Sequence, residues 1–179
     1  NEFTPVASQT ETLLVIDDSA EVPAMVREVV ANRMNIVHAA SVPAAVARFA
    51  QGEIGLVVAD TTVAGVDTTR LLKMVKLQFP GVVTVVLTHD VDSGDIITLI
   101  NQGQIYRFIP KPIKPGFLRL VLTSAMLKFQ QLKTSPSQVE RYRVESLSES
   151  ERQSLMSELA DAASPVHDTA TDQTGPDAG

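Results

Sequence analysis

Five short apolar runs recur through the first 133 positions of the chain, over residues 13–16, 36–39, 54–59, 82–87 and 105–109. Each is rich in β-branched residues and continuous rather than alternating, the pattern of a strand covered on both faces of a parallel sheet. Apolar residues between the runs return at helical spacing behind start signals. Ser19 caps a helix reaching about Arg33, with Pro23 in its first turn and Val22, Met25, Val26, Val29 and Val30 on one face. Ser41 and Pro43 open a short helix to Ala50, which Gly52 ends. Asp67 opens a third, with Leu71, Leu72, Val75 and Phe79 inward, before Pro80 and Gly81. Asp92 opens a fourth, with Ile96, Ile97 and Ile100 inward and Gly103 as its stop. The fifth runs over 115–133 with a core stripe at Leu118, Val121, Leu122, Ala125, Phe129 and Leu132. Five βα units on short connections predict an α/β fold, a doubly wound five-stranded parallel sheet over residues 11–133.

The pattern changes after Lys133. Thr134-Ser135-Pro136-Ser137 is a breaker cluster, and residues 134–163 read as a linker. Within it Ser148 and Glu151 form a capping box ahead of Leu155, Met156 and Leu159, so one amphipathic helix is expected near 149–161. Residues 164–179 are rich in Asp, Thr, Ala, Pro and Gly and read as a disordered tail. The net charge of −6 belongs to this region, since residues 134–179 hold nine acids and three bases while residues 1–133 hold twelve of each. A neutral core with an acidic tail excludes the basic surface expected of a nucleic-acid partner. No apolar stretch approaches the roughly 20 residues of a membrane helix. The absence of cysteine excludes disulfides and thiolate sites. With no secretory leader in NEFTPVASQTE, a cytoplasmic location is expected.

In doubly wound sheets, ligands bind beyond the carboxyl ends of the strands. Asp17 and Asp18 follow the first run, Asp60 the third, Thr88 the fourth, and Pro110-Lys111-Pro112 the fifth. Taken singly, the Asp pair reads as a helix cap, Thr88 as an ordinary strand-end residue and Lys111 as a solvated lysine. Their ordered recurrence at successive strand ends outweighs those readings. Three carboxylates at one edge repel one another unless a cation joins them, and an all-oxygen site of this kind suits Mg²⁺. One carboxylate can then attack phosphorus, with Lys111 and the Thr88 hydroxyl sharing the phosphoryl charge. His38, His89 and His167 form no metal-ligand spacing and read as surface or loop histidines.

LLVIDDSA, LVVADTTVAGVD, VVLTHD and YRFIPKP together resemble the motifs of two-component response-regulator receiver domains. The resemblance covers about residues 11–133. It implies a flavodoxin-like (βα)5 fold with the five runs in sheet order 2-1-3-4-5. It also implies Asp60 as phosphoacceptor and Mg²⁺ held by Asp17, Asp18, Asp60 and the Thr62 main-chain carbonyl. Thr88 would be the reorienting hydroxyl, Lys111 the phosphoryl contact, Phe108 the aromatic switch, and Lys111–Pro112 a bond often cis. The implied donor is a histidine kinase or phosphotransfer protein, and the chemistry is self-phosphorylation and self-dephosphorylation rather than turnover of a substrate. Two departures stand out. Val63-Ala64 replaces a common Met-Pro, expected to alter loop stiffness without removing a functional group. His89 replaces a small residue and is expected to narrow access to the phosphoryl group.

Phe117, Leu120 and Leu127 lie off the core stripe of the last helix, and two readings fit them. Either they are buried more deeply or covered by the tail helix, or they belong to a homodimer surface of the fourth helix, fifth strand and fifth helix. A haloacid-dehalogenase-type phosphatase needs an acid two residues after its nucleophile, where this chain has Thr62. A flavin module needs a hydroxyl-rich phosphate loop where this chain has Asp17 and Asp18. No Walker or dinucleotide glycine pattern occurs. The remaining competitor is a receiver-like interaction module that works without phosphate.

Overall fold

A computed structural model of the chain describes residues 11–101 and 105–135, with Ser137, Gln153 and Ser157 beyond them. In chain order the elements are β1 (Thr12–Ile16), α1 (Glu21–Val30), β2 (Asn35–Ala39), α2 (Val42–Gln51) and β3 (Ile54–Asp60). There follow β4 (Thr62–Val63), β5 (Val66–Asp67), α3 (Thr69–Gln78), β6 (Val83–Thr88), α4 (Gly94–Asn101), β7 (Arg107–Pro110) and α5 (Pro115–Thr134). The main sheet is parallel throughout, in the order β2-β1-β3-β6-β7. Counting only the five long strands, this is the expected 2-1-3-4-5.

Alternation along each strand explains why the runs are apolar throughout. Leu13, Val15, Leu56, Val58, Val83 and Val85 face α1 and α5, where they meet Val26, Val29, Leu118 and Leu122. Leu14, Ile16, Val57, Ala59 and Val86 face α2, α3 and α4, where they meet Ala45, Leu72, Val75 and Leu99. Fully burying one such Val, Leu or Ile side chain contributes about 1.5–3 kcal/mol, so the two layers hold the sheet rigidly. Gly55 lies where the Phe129 ring of α5 crosses β3, and a Cβ there would come within 2.4 Å of the ring. The three central strands end in step, with Ile16 beside Ala59 and Asp60 beside Leu87.

Several local readings are corrected. The Ser93 hydroxyl, not Asp92, accepts the opening N–H of α4, from Ile96 at 3.3 Å. Ile96 and Leu99 form the inner face of that helix, while Ile97 and Ile100 are exposed. Phe79 is 40% exposed and stacks on Phe49 rather than entering the core. The β4–β5 hairpin was not expected. It closes through Ala64 and Gly65, both at positive φ (50° and 76°), the geometry of a two-residue hairpin turn. The stop at Gly103, the helix near 149–161 apart from Gln153 and Ser157, and the tail 164–179 lie outside the described residues. Among the described residues no helix is long and apolar enough to cross a membrane.

One buried charge was not expected either. Lys76, near the end of α3, is 1% exposed and donates to the Pro80 carbonyl at 3.1 Å. It shares a helix face with Leu72, one turn earlier, which is the only signal of its burial in the sequence. Burial, aided by the charge of Lys128, lowers its pKa to about 7. The unfolded chain therefore binds the extra proton between pH about 7 and the ordinary lysine value of 10.5, so stability rises with pH across that window. Lys76→Met is expected to flatten this rise in thermal or urea midpoints. An identical alkaline slope in both proteins would contradict the assignment.

Candidate functional site

β1, β3, β6 and β7 all end on one edge, and the loops leaving them bring together the polar residues that follow the apolar runs. Asp17 leaves β1 fully buried, its N–H donating to the Ala39 carbonyl of β2 at 3.1 Å. Its carboxylate Oδ1 accepts from the Ser19 N–H at 2.8 Å. Asp18, the next residue, is exposed. Its Oδ2 accepts from the Ala64 N–H at 2.9 Å, which ties the β1–α1 loop to the hairpin after β3.

Asp60 ends β3 and is 6% exposed. Its Oδ1 accepts from the Thr62 N–H at 3.0 Å, and its main-chain carbonyl accepts from the Thr68 hydroxyl. Its Oδ2 pairs with the Lys111 ammonium, which also lies 3.5 Å from Asp17 Oδ2. Lys111 follows β7, and the Lys111–Pro112 peptide is cis, as expected. Its N–H donates to the Thr88 carbonyl at 2.8 Å, anchoring the lysine loop to the end of β6. Burial pulls the Lys111 pKa down, but the hydrogen bond to Asp60 and the charges of Asp17 and Asp60 prevail and raise it above 10.5. The ammonium is the cation of this carboxylate pair.

Thr88 ends β6 and is buried, but its hydroxyl does not face Asp60. It donates to the Asp90 carbonyl at 3.1 Å and accepts from the Asp90 N–H at 3.0 Å. Phe108 sits on β7 opposite Val86, half-buried against the layer of α2, α3 and α4. Thr62 is exposed at the start of the hairpin. Asp18, Asp60, Thr62, Thr88, His89 and Lys111 line an open cleft of about 450 Å³, together with Asp67, Asp90 and Ser93. His89 is the exposed histidine of that lining.

Of the expected residues, Asp18, Asp60, Thr62, Thr88 and Lys111 line the cleft, while Asp17 is buried and meets it through Lys111, and Phe108 is not in its lining. Among the described residues no three acidic or histidine side chains converge tightly enough to hold an ion by themselves. Lys111 occupies the space between Asp17 and Asp60, and Asp18 is turned toward Ala64. Mg²⁺ needs only one or two carboxylates, completed by water and phosphate oxygens. The all-oxygen donor set of Asp17, Asp18, Asp60 and the Thr62 carbonyl fits it, and the ammonium already shows that the Asp17–Asp60 pair accepts positive charge.

Two features escaped the sequence. Ala64, where proline is common, supplies an N–H that proline lacks, and Asp18 accepts from it. Gly65 was the only signal of the turn. His38, read as a surface histidine, is half-buried, and its Nε2 lies 2.6 Å from the Asp17 carbonyl. Nothing in its spacing announced this contact, which depends on β2 lying beside β1.

Comparisons with known proteins agree with this fold. The hydrogenase transcriptional regulatory protein HoxA of Cupriavidus necator is 26% identical over 113 residues, 63% of this chain and 23% of that protein. The chain therefore spans about a quarter of that regulator's length. The signal receiver domain of an HD domain-containing protein from Pseudomonas fluorescens Pf-5 superposes with a TM-score of 0.63 at 22% identity, covering 74% of this chain and 98% of that one. A CheY-like receiver domain protein from Methanospirillum hungatei JF-1 superposes at 0.60 with 17% identity, covering 70% and 98%. The model of the response regulator receiver domain matches residues 13–123, more than half of the chain. By that match, and with the strand order in agreement, the chain belongs to the response regulator receiver domain family.

Proposed function

We propose that residues 11–133 form a phosphoacceptor receiver domain acting in the cytoplasm, with Asp60 as the phosphorylated residue. The observation that carries this reading is the Asp60 carboxylate, neutralised by Lys111 beside Asp17 and opening onto a polar cleft. An oxygen of Asp60 attacks phosphorus while the bond to the donor's imidazole nitrogen breaks, and the imidazole leaves with that electron pair. The donor is a histidine kinase or phosphotransfer protein. Asp17, Asp18, Asp60 and the Thr62 carbonyl would hold Mg²⁺, which supplies charge neutralisation at the phosphoryl oxygens.

This chain's own residues then do three things. Lys111 keeps its proton and turns from Asp60 to a phosphoryl oxygen. Thr88, bonded to Asp90 before the reaction, exchanges that partner for the phosphoryl group. Phe108, half-buried beside Val86, takes the space the threonine vacates. The phosphoryl group must bind the rearranged state better than the resting one, and that difference sets how far the population shifts.

The surface that reads the change flanks the edge strand β7. Ile97 and Ile100 of α4 and Phe117 and Leu120 of α5 are exposed there, Leu120 by 66%. Exposed apolar residues grouped this way support an interaction face, which we assign to a homodimer formed on phosphorylation.

Two experiments test these assignments. Acetyl phosphate with Mg²⁺ is expected to label the chain stoichiometrically, and Asp60→Asn to abolish labelling. An unlabelled wild type, or full labelling of the variant, would favour an interaction module that works without phosphate. Sedimentation with beryllofluoride and Mg²⁺ is expected to show a dimer that Leu120→Glu dissociates. A monomeric wild type, or a dimer indifferent to Leu120→Glu, would remove the dimer face.

A further inference from the structure

We infer that His38 is a positioning residue for the metal-binding end of this site, acting through the Asp17 main chain; the inference rests on the phosphoacceptor reading above. β2 is an edge strand whose residues pair with β1 in register, Val15 opposite His38 and Ile16 opposite Ala39. β1 then ends, and Asp17 enters the loop with its N–H still held by Ala39. The peptide that follows joins Asp17 to Asp18, so its orientation sets where both carboxylates point. Asp17 is fully buried, and a buried carbonyl without a donor is costly. Among the described residues the His38 ring meets that carbonyl, with Nε2 at 2.6 Å. A carbonyl only accepts, so Nε2 carries the proton and the ring is held in that form.

The position does not need a histidine for packing alone. Ile36, two residues earlier on the same face of β2, packs against the α1–α5 layer as a plain hydrocarbon. His38 uses a ring N–H where a second hydrocarbon would leave the Asp17 carbonyl without it. The acid pair is thereby tied from two sides: His38 holds the peptide between the two acids, and the Ala64 N–H holds the Asp18 carboxylate. Groups that orient metal ligands without touching the metal typically change its affinity about 10- to 100-fold when removed.

A pair of nearly isosteric variants separates orientation from packing. Glutamine carries an N–H donor at about the reach of Nε2, and methionine has the same length without one. Mg²⁺ affinity is measured by following amide chemical shifts in the full chain, below the thermal transition of every variant. His38→Met is expected to weaken Mg²⁺ binding about tenfold. His38→Gln is expected to stay within about twofold of wild type, since it restores the donor. Wild-type affinity in His38→Met, or equal losses in both variants, would overturn the positioning role alone. A wild-type chain that takes up neither Mg²⁺ nor phosphate would overturn the phosphoacceptor reading and this inference with it.

Discussion

The contact on which the site depends is the Lys111 ammonium lodged between Asp60 and Asp17. Two nearly buried carboxylates from adjacent strands cannot share one edge without a positive charge between them. The lysine that supplies it arrives from the far side of the sheet, after β7, and is fixed by its N–H on the Thr88 carbonyl. One ammonium thus links the ends of β1, β3 and β7, and the end of β6 holds it there. On the proposed phosphoacceptor reading, charge added at Asp60 would change what Lys111 pairs with, and the Lys111 N–H already joins it to the Thr88 carbonyl.

The rest of the fold keeps this contact in register. Parallel strands place every carboxyl end on the same edge, and the two apolar layers prevent the strands from sliding. Helices crowd both faces, so the loops at the strand ends are where polar groups can meet. Asp18, the hairpin through Ala64 and the β6–α4 loop form a rim around the strand ends. Thr88 belongs to both, with its backbone in the sheet and its hydroxyl in the loop.

Strands and the principal strand-end residues were legible because both signals are local, whereas the sheet order came from the family resemblance. A continuous β-branched run marks a strand buried on two faces, and the residue after it needs no tertiary information to be found. The features that escaped depend on neighbours distant in sequence. His38 meets the Asp17 carbonyl only because β2 pairs with β1, and Ala64 meets Asp18 only because the hairpin folds back across the edge. Ile97 and Ile100 fit a helical stripe as well as Leu99 does, and the packing of α4 on the sheet decided between them. The burial of Lys76 depends on how α3 packs and on the Pro80 carbonyl that receives its ammonium.

The most direct test of this account is a crystal structure of the chain with beryllofluoride and Mg²⁺. The account predicts the Thr88 hydroxyl released from Asp90 and bonded to a fluoride on Asp60, with Lys111 on a second fluoride. An occupied Asp60 with Thr88 still bonded to Asp90 would contradict it.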